Sequence, residues 1–201
     1  VSGVTTALTP QLLGHNTEII SDKTVSDISH KNEYPEFASI FPSASIIPHS
    51  VYSNQLEELF KQSQSFFYEL RKHTFAGITL NNHFEIFEFE TDRPDYCDWM
   101  LNFSPIDDLS ETTVPRRSDS QPLYGWVFDC IFADWSLYFP ALIALYQQNG
   151  GTITKQKLEQ EDISDLSSDL VINCSATGGP TLFNDPSKSQ LIMRGHLLHK
   201  A

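Results

Sequence analysis

The run Asp169-Leu-Val-Ile-Asn-Cys-Ser175 constrains this chain more than any other stretch. It is short, apolar at consecutive positions and free of helical spacing, which is the pattern of a strand covered on both faces. It leads directly into Ala176-Thr-Gly-Gly179, small residues that leave backbone open to close approach. Strands and helices in mixed order along the chain point to an α/β or α+β architecture, of which α/β is the one expected here.

The remaining elements agree with that class. Val4, Ala7, Leu8, Leu12 and Leu13 have helical spacing from Gly3 to Gly14, with Pro10 as an internal irregularity and Gly14 as a stop. Thr17–Asp22 reads as a strand, and residues 24–52 as a long ordered loop punctuated by Pro35, Pro42 and Pro48. Residues 53–72 read as an amphipathic helix with Leu56, Leu59, Phe60, Phe66, Phe67 and Leu70 toward the core. Strands are expected at His83–Glu90 and Tyr124–Phe132, separated by a solvated connection over 91–122 with one short helix. A helix over 134–148 closed by Asn149-Gly-Gly151, a strand over Thr152–Leu158, an acidic turn and the 169–175 strand follow, and Leu191–His199 closes the series as another strand.

Composition excludes several classes. A net charge of -13 with only 13 Lys and Arg argues against a nucleic-acid partner, which needs clustered cations. Apolar runs fall short of the ~20 residues a membrane-spanning helix requires, and the opening lacks a basic-then-apolar leader. Cys97, Cys130 and Cys174 are scattered, so neither a disulfide framework nor a zinc site is expected, and a reducing, cytoplasmic setting is. His83 with Glu85, and His196 with His199, lack metal-ligand spacing. Asp129, Cys130 and Asp134 suggest a nucleophile, but Cys130 lies within an aromatic strand and reads as core, and no Gly-x-Ser-x-Gly elbow occurs.

Two residues carry a nucleotide signature. Gly3 opens a helix as the third glycine of a dinucleotide fingerprint does, and Asp22 stands where an acid at the end of the second strand meets a ribose hydroxyl. The fingerprint places a strand and two glycines ahead of that position, so the sequence reads as a piece of a larger protein that needs further residues or another chain, a homo-oligomer included, to complete its sheet. A nicotinamide-dependent dehydrogenase would use the same two residues.

Further segments point more narrowly. Val1-Ser-Gly-Val-Thr-Thr-Ala-Leu8, Ile20-Ser-Asp-Lys23, Ala38-Ser39, Ser43-Ala-Ser-Ile-Ile-Pro48, Leu123-Tyr-Gly-Trp126, Val171-Ile-Asn-Cys-Ser175, Asn184-Asp-Pro186 and Arg194-Gly195 run in order over almost the whole chain. With these segments the chain resembles the D-amino-acid oxidase family of FAD-dependent oxidoreductases. The resemblance implies an incomplete FAD-binding, Rossmann-like domain from residues 1–80 and 150–201, with part of a mixed-sheet substrate domain at 81–149. It implies that Gly3 faces the FAD pyrophosphate and that Asp22 and Lys23 meet the adenosine ribose. Ala38, Ser39, Ser43, Ala44 and Ser45 would line the flavin side, Leu158 the adenine side, and Ser175 with Ala176 the returning strand. Ala44 and His196 depart from the pattern, which has glycine and glutamine there.

The implied chemistry is oxidation of the C–N bond of a small amine or amino acid by hydride transfer to flavin. The family's substrate-binding arginine and tyrosine have no counterpart by motif, so no catalytic residue is assigned. A non-catalytic interaction module of the same fold, without flavin, is the rival expectation.

Overall fold

A computed structural model describes residues 1–49, 52–106 and 123–184. The chain divides into two compact units, Val1–Ser26 with Leu142–Ala201, and Asp27–Ala141. Residues 27–80 therefore fall in the central unit, whereas the sequence reading groups them with the outer segments.

The discontinuous unit contains the expected opening. Helix α1 (Ser2–Leu12) buries Val4 and Leu8, one turn apart on one face. Pro10 lies in the last turn, where it donates no helical hydrogen bond and its carbonyl accepts from the Leu13 and His15 amides. Strand β1 (Glu18–Ser21) follows and pairs in parallel with Thr152–Lys155, Glu18 opposite Thr152 and Ser21 opposite Lys155. Fully buried Tyr146 holds the start of this pair: its hydroxyl donates to the Thr17 carbonyl (2.8 Å), lies 3.2 Å from the Thr152 carbonyl and accepts from Thr17 Oγ1. Gln11 adds a second tie, donating to the Asn149 carbonyl at 2.8 Å and accepting from the Thr17 amide at 2.9 Å. Gly151 is required where it stands, since a Cβ there would overlap the Tyr146 ring.

The continuous unit is built on an antiparallel sheet. Strand β2 (Ile78–Phe87) pairs with β4 (Tyr124–Ala133) over ten residues, and β3 (Leu101–Pro105) pairs with the other edge of β4, giving the order β2-β4-β3. Beyond β3 that edge is taken up by residues 44–46: the Ala133 amide donates to the Ala44 carbonyl and the Ile46 amide to the Ile131 carbonyl, both at 2.9 Å. Trp126, Phe128 and Cys130 alternate inward from β4 and form a core with Phe60, Cys97 and Met100. Helix α2 (Leu56–Lys72) covers the sheet, and α3 (Trp135–Gln148) follows β4, with the boundary between the units falling inside it. We label the remaining strand, Thr152–Lys155, β5.

Several expectations need correction. Residues 169–175 form no strand, and Leu170, Val171 and Ile172 are 73%, 42% and 55% exposed. Instead the Asn173 side chain accepts from the Ser175 amide and hydroxyl, Ala176 takes φ 49°, and a 3-10 turn Ala176–Gly178 leads into the short helix Gly179–Leu182. Local side-chain bonds of Asn and Ser compete with a ladder, and among the described residues no neighbouring strand is paired here. Ser175 and Ala176 thus lie on a turn rather than on a returning strand. The strand at Thr152 stops at Lys155, leaving Leu158 outside it. The apolar stripe of α2 is narrower than expected: Phe60 is buried, while Leu59 and Phe66, a hundred degrees round the helix from Phe60 and Phe67, are about half exposed. The connection at 91–122 contains β3 in addition to a 3-10 turn at Asp95–Trp99. The expected strand Leu191–His199, with Arg194, Gly195, His196 and His199, lies outside the described residues, as do Asp185, Pro186, Arg116 and Arg117.

Candidate functional site

The residues selected from sequence fall in both units. In the discontinuous unit, Gly3 sits in the first turn of α1, and a Cβ placed on it would lie 3.4 Å from the Cys174 Cβ. Gly3 is therefore in ordinary van der Waals reach of the segment that carries Cys174. The cap position of α1 is Val1, and its first turn carries no acidic residue. Asp22 follows β1 immediately. It lies within electrostatic reach of Lys157, whose exposed ammonium is held above its ordinary range first by Glu159 and also by Asp22. The segment carrying Leu158 is therefore close to Asp22, and Lys23 is tied locally, its carbonyl accepting from Ser21 Oγ at 2.9 Å. Ser175 and Ala176 occupy the turn next to Cys174.

In the continuous unit, Ala38 and Ser39 form a 3-10 turn with Ile40. Ser43, Ala44 and Ser45 run along β4: the Ser43 carbonyl accepts from the Trp135 amide, and Ser45 bridges Phe132. These five residues share a unit with one another, and the remaining six share the other.

A polar cluster is centred on Glu85, which the sequence reading weighs with His83 only as a metal-ligand pair and sets aside. The β2·β4 register sets Glu85 opposite Trp126 and His83 opposite Phe128. Glu85 is only 9% exposed, and its carboxylate is well supplied with donors: Trp126 Nε1 (2.5 Å) and the Tyr96 hydroxyl (2.6 Å) donate to Oε2, and His49 Nε2 lies 2.9 Å from Oε1. His49 Nε2 also lies 2.9 Å from the Tyr96 hydroxyl, with the two rings 5.1 Å apart. His83 stacks on Phe128, meets Ser45 Oγ through Nδ1 at 3.3 Å, and brings Nε2 to 3.7 Å from Glu85 Oε1.

The electrostatics follow from this packing. Burial raises the Glu85 pKa, but hydrogen bonds from Tyr96, His49 and Trp126 outweigh it and leave the carboxyl below its ordinary range. Burial, aided by His49 and opposed by Glu85, depresses His83. Burial and the bond to Glu85 push the Tyr96 phenol up, so it remains a donor. The cluster is an ionised carboxylate held by three donors beside a neutral imidazole. Ser45, His83 and Glu85 occur in the order of a nucleophile, base and acid, but 3.7 Å is ion-pair range rather than a hydrogen bond, and the carboxylate is engaged by other donors. The arrangement is therefore a hydrogen-bonded framework attaching residues 45–49 to β2.

Glu85 was hard to foresee because a charge in an alternating strand usually marks the wet face; the available signal was Trp126, whose buried indole N–H needs an acceptor. Among the described residues no group of three His, Cys, Asp or Glu is arranged to hold a metal, and no helix is long and apolar enough to cross a membrane. No protein-family model matches the chain.

Proposed function

We propose that this chain is part of an FAD-dependent oxidoreductase that oxidises the C–N bond of a small amine or amino acid. The observation that supports it is in the discontinuous unit: Gly3 lies in the first turn of α1, α1 is followed by β1, Asp22 comes immediately after β1, and β1 is in parallel register with β5. A glycine in the first turn of a helix, followed by a parallel strand with an acid just beyond its end, is an arrangement suited to a dinucleotide. FAD, when bound, supplies the hydride acceptor. The α1 amides would hold the pyrophosphate, with Gly3 keeping the helix close to the 174 region, and Asp22 with Lys23 would engage the ribose. Leu158 and the Ser175-Ala176 turn, in the same unit, would border the adenosine half.

Titration of the protein with FAD, followed by quenching of flavin fluorescence, tests this reading. Saturable uptake that Asp22→Ala weakens, with anaerobic bleaching of the bound flavin by an amine or amino acid, is the expected result. A folded protein that takes up no FAD would sink the reading and favour a non-catalytic interaction module.

A further inference from the structure

We propose that Glu85 is a positioning residue that fixes the segment from Ser43 to His49 against β4. Three kinds of contact fasten the segment. Its backbone takes up the free end of β4 through the Ile46 amide and the Ala44 carbonyl. Ile46 and Ile47 pack on the core cluster, and Cys130 Sγ lies 3.6 Å from the Ile46 carbonyl. At its far end His49 reaches Glu85, and in its middle Ser45 reaches His83, the neighbour of Glu85 across the same carboxylate.

Two backbone hydrogen bonds at the end of a ladder open readily, because fraying there costs little else. The His49–Glu85 contact lies farther along the chain and closes a second point of attachment, and the carboxylate that anchors it is itself fixed by Trp126 and Tyr96. The groups that face Glu85 come from the loop (His49), its own strand (His83), the 3-10 turn (Tyr96 and the thiol of Cys97) and β4 (Trp126 and the thiol of Cys130). Burial keeps both thiols protonated, so neither adds a charge beside the carboxylate.

Amide hydrogen exchange at neutral pH tests this. In Glu85→Gln, the Ile46 and Ala133 amides should exchange about tenfold faster, the loss expected for a hydrogen bond to a charged group. The amides of the β1·β5 pair should not change, and those of the β2·β4 ladder should change less. His49→Gln leaves the Trp126 and Tyr96 bonds intact and should reproduce the local effect even where Glu85→Gln lowers overall stability. Unchanged Ile46 and Ala133 protection in both variants would overturn the proposal, as would equal acceleration across the β2·β4 ladder, which marks a general structural role.

Discussion

Trp126 goes into the core with an N–H that must be satisfied, and it brings a carboxylate in with it. That choice makes the continuous unit sensitive to acid. Glu85 titrates below its ordinary value in the folded chain, so the stability it contributes is present above about pH 4.5 and is lost as pH falls through the folded value. His83 is also depressed; here the unfolded chain binds the proton first, so stability declines as pH drops below about 6.5. Urea midpoints should therefore fall from pH 8 to pH 5 and again toward pH 3.5, and His83→Gln should flatten the upper part of that curve. The thiols offer a second check. Cys97 and Cys130 are buried and pushed up, Cys130 to about 11, whereas Cys174 is exposed. Under native conditions a disulfide reagent should titrate one thiol quickly and the other two only on denaturation.

Among the elements, Tyr146 and Gly151 decide how α3, β1 and β5 meet. Tyr146→Phe deprives the Thr17 carbonyl and hydroxyl of a partner and should cost about 1–3 kcal/mol of unfolding free energy. Gly151→Ala forces a methyl into the Tyr146 ring and should cost a comparable amount, about 1–3 kcal/mol, measurable by urea denaturation. Elements with strong period were legible in the sequence: α1, β1, α2, β4 and α3 lie close to their expected spans. The register of β2 was not, because His83-Phe-Glu-Ile-Phe-Glu alternates ambiguously and only pairing with β4 decides that Glu85 faces in and Phe84 out. The 169–175 run misled for a different reason. Apolar, β-prone composition specifies a strand only when a neighbour supplies the ladder, and Asn173 with Ser175 supplies a turn instead. Of the candidate site, the Glu85 cluster was not legible because it draws its members from four separate segments.

For the whole molecule, net charge is the dominant long-range term. A charge of -13 repels itself in the compact state, while the ion pairs Lys61–Glu57, Lys72–Glu69 and Lys157–Glu159 join exposed side chains and contribute little. Screening should therefore remove more repulsion than attraction, and Tm should rise on adding about 0.5 M sodium chloride, where the Debye length is a few Å. The same charge predicts no retention on an immobilised nucleic acid at physiological salt. Topology adds a temporal constraint. Tyr146 hydrogen-bonds to Thr17 across 129 positions of chain, and β1 pairs with a strand just beyond it. At synthesis rates of about 5–20 residues per second, α1 and β1 leave the ribosome roughly 10 s before the partner that buries them. During that interval Val4, Leu8 and the β1 edge are uncovered, so the opening segment is where a nascent-chain holdase would bind and where unassisted refolding at high concentration would begin to aggregate.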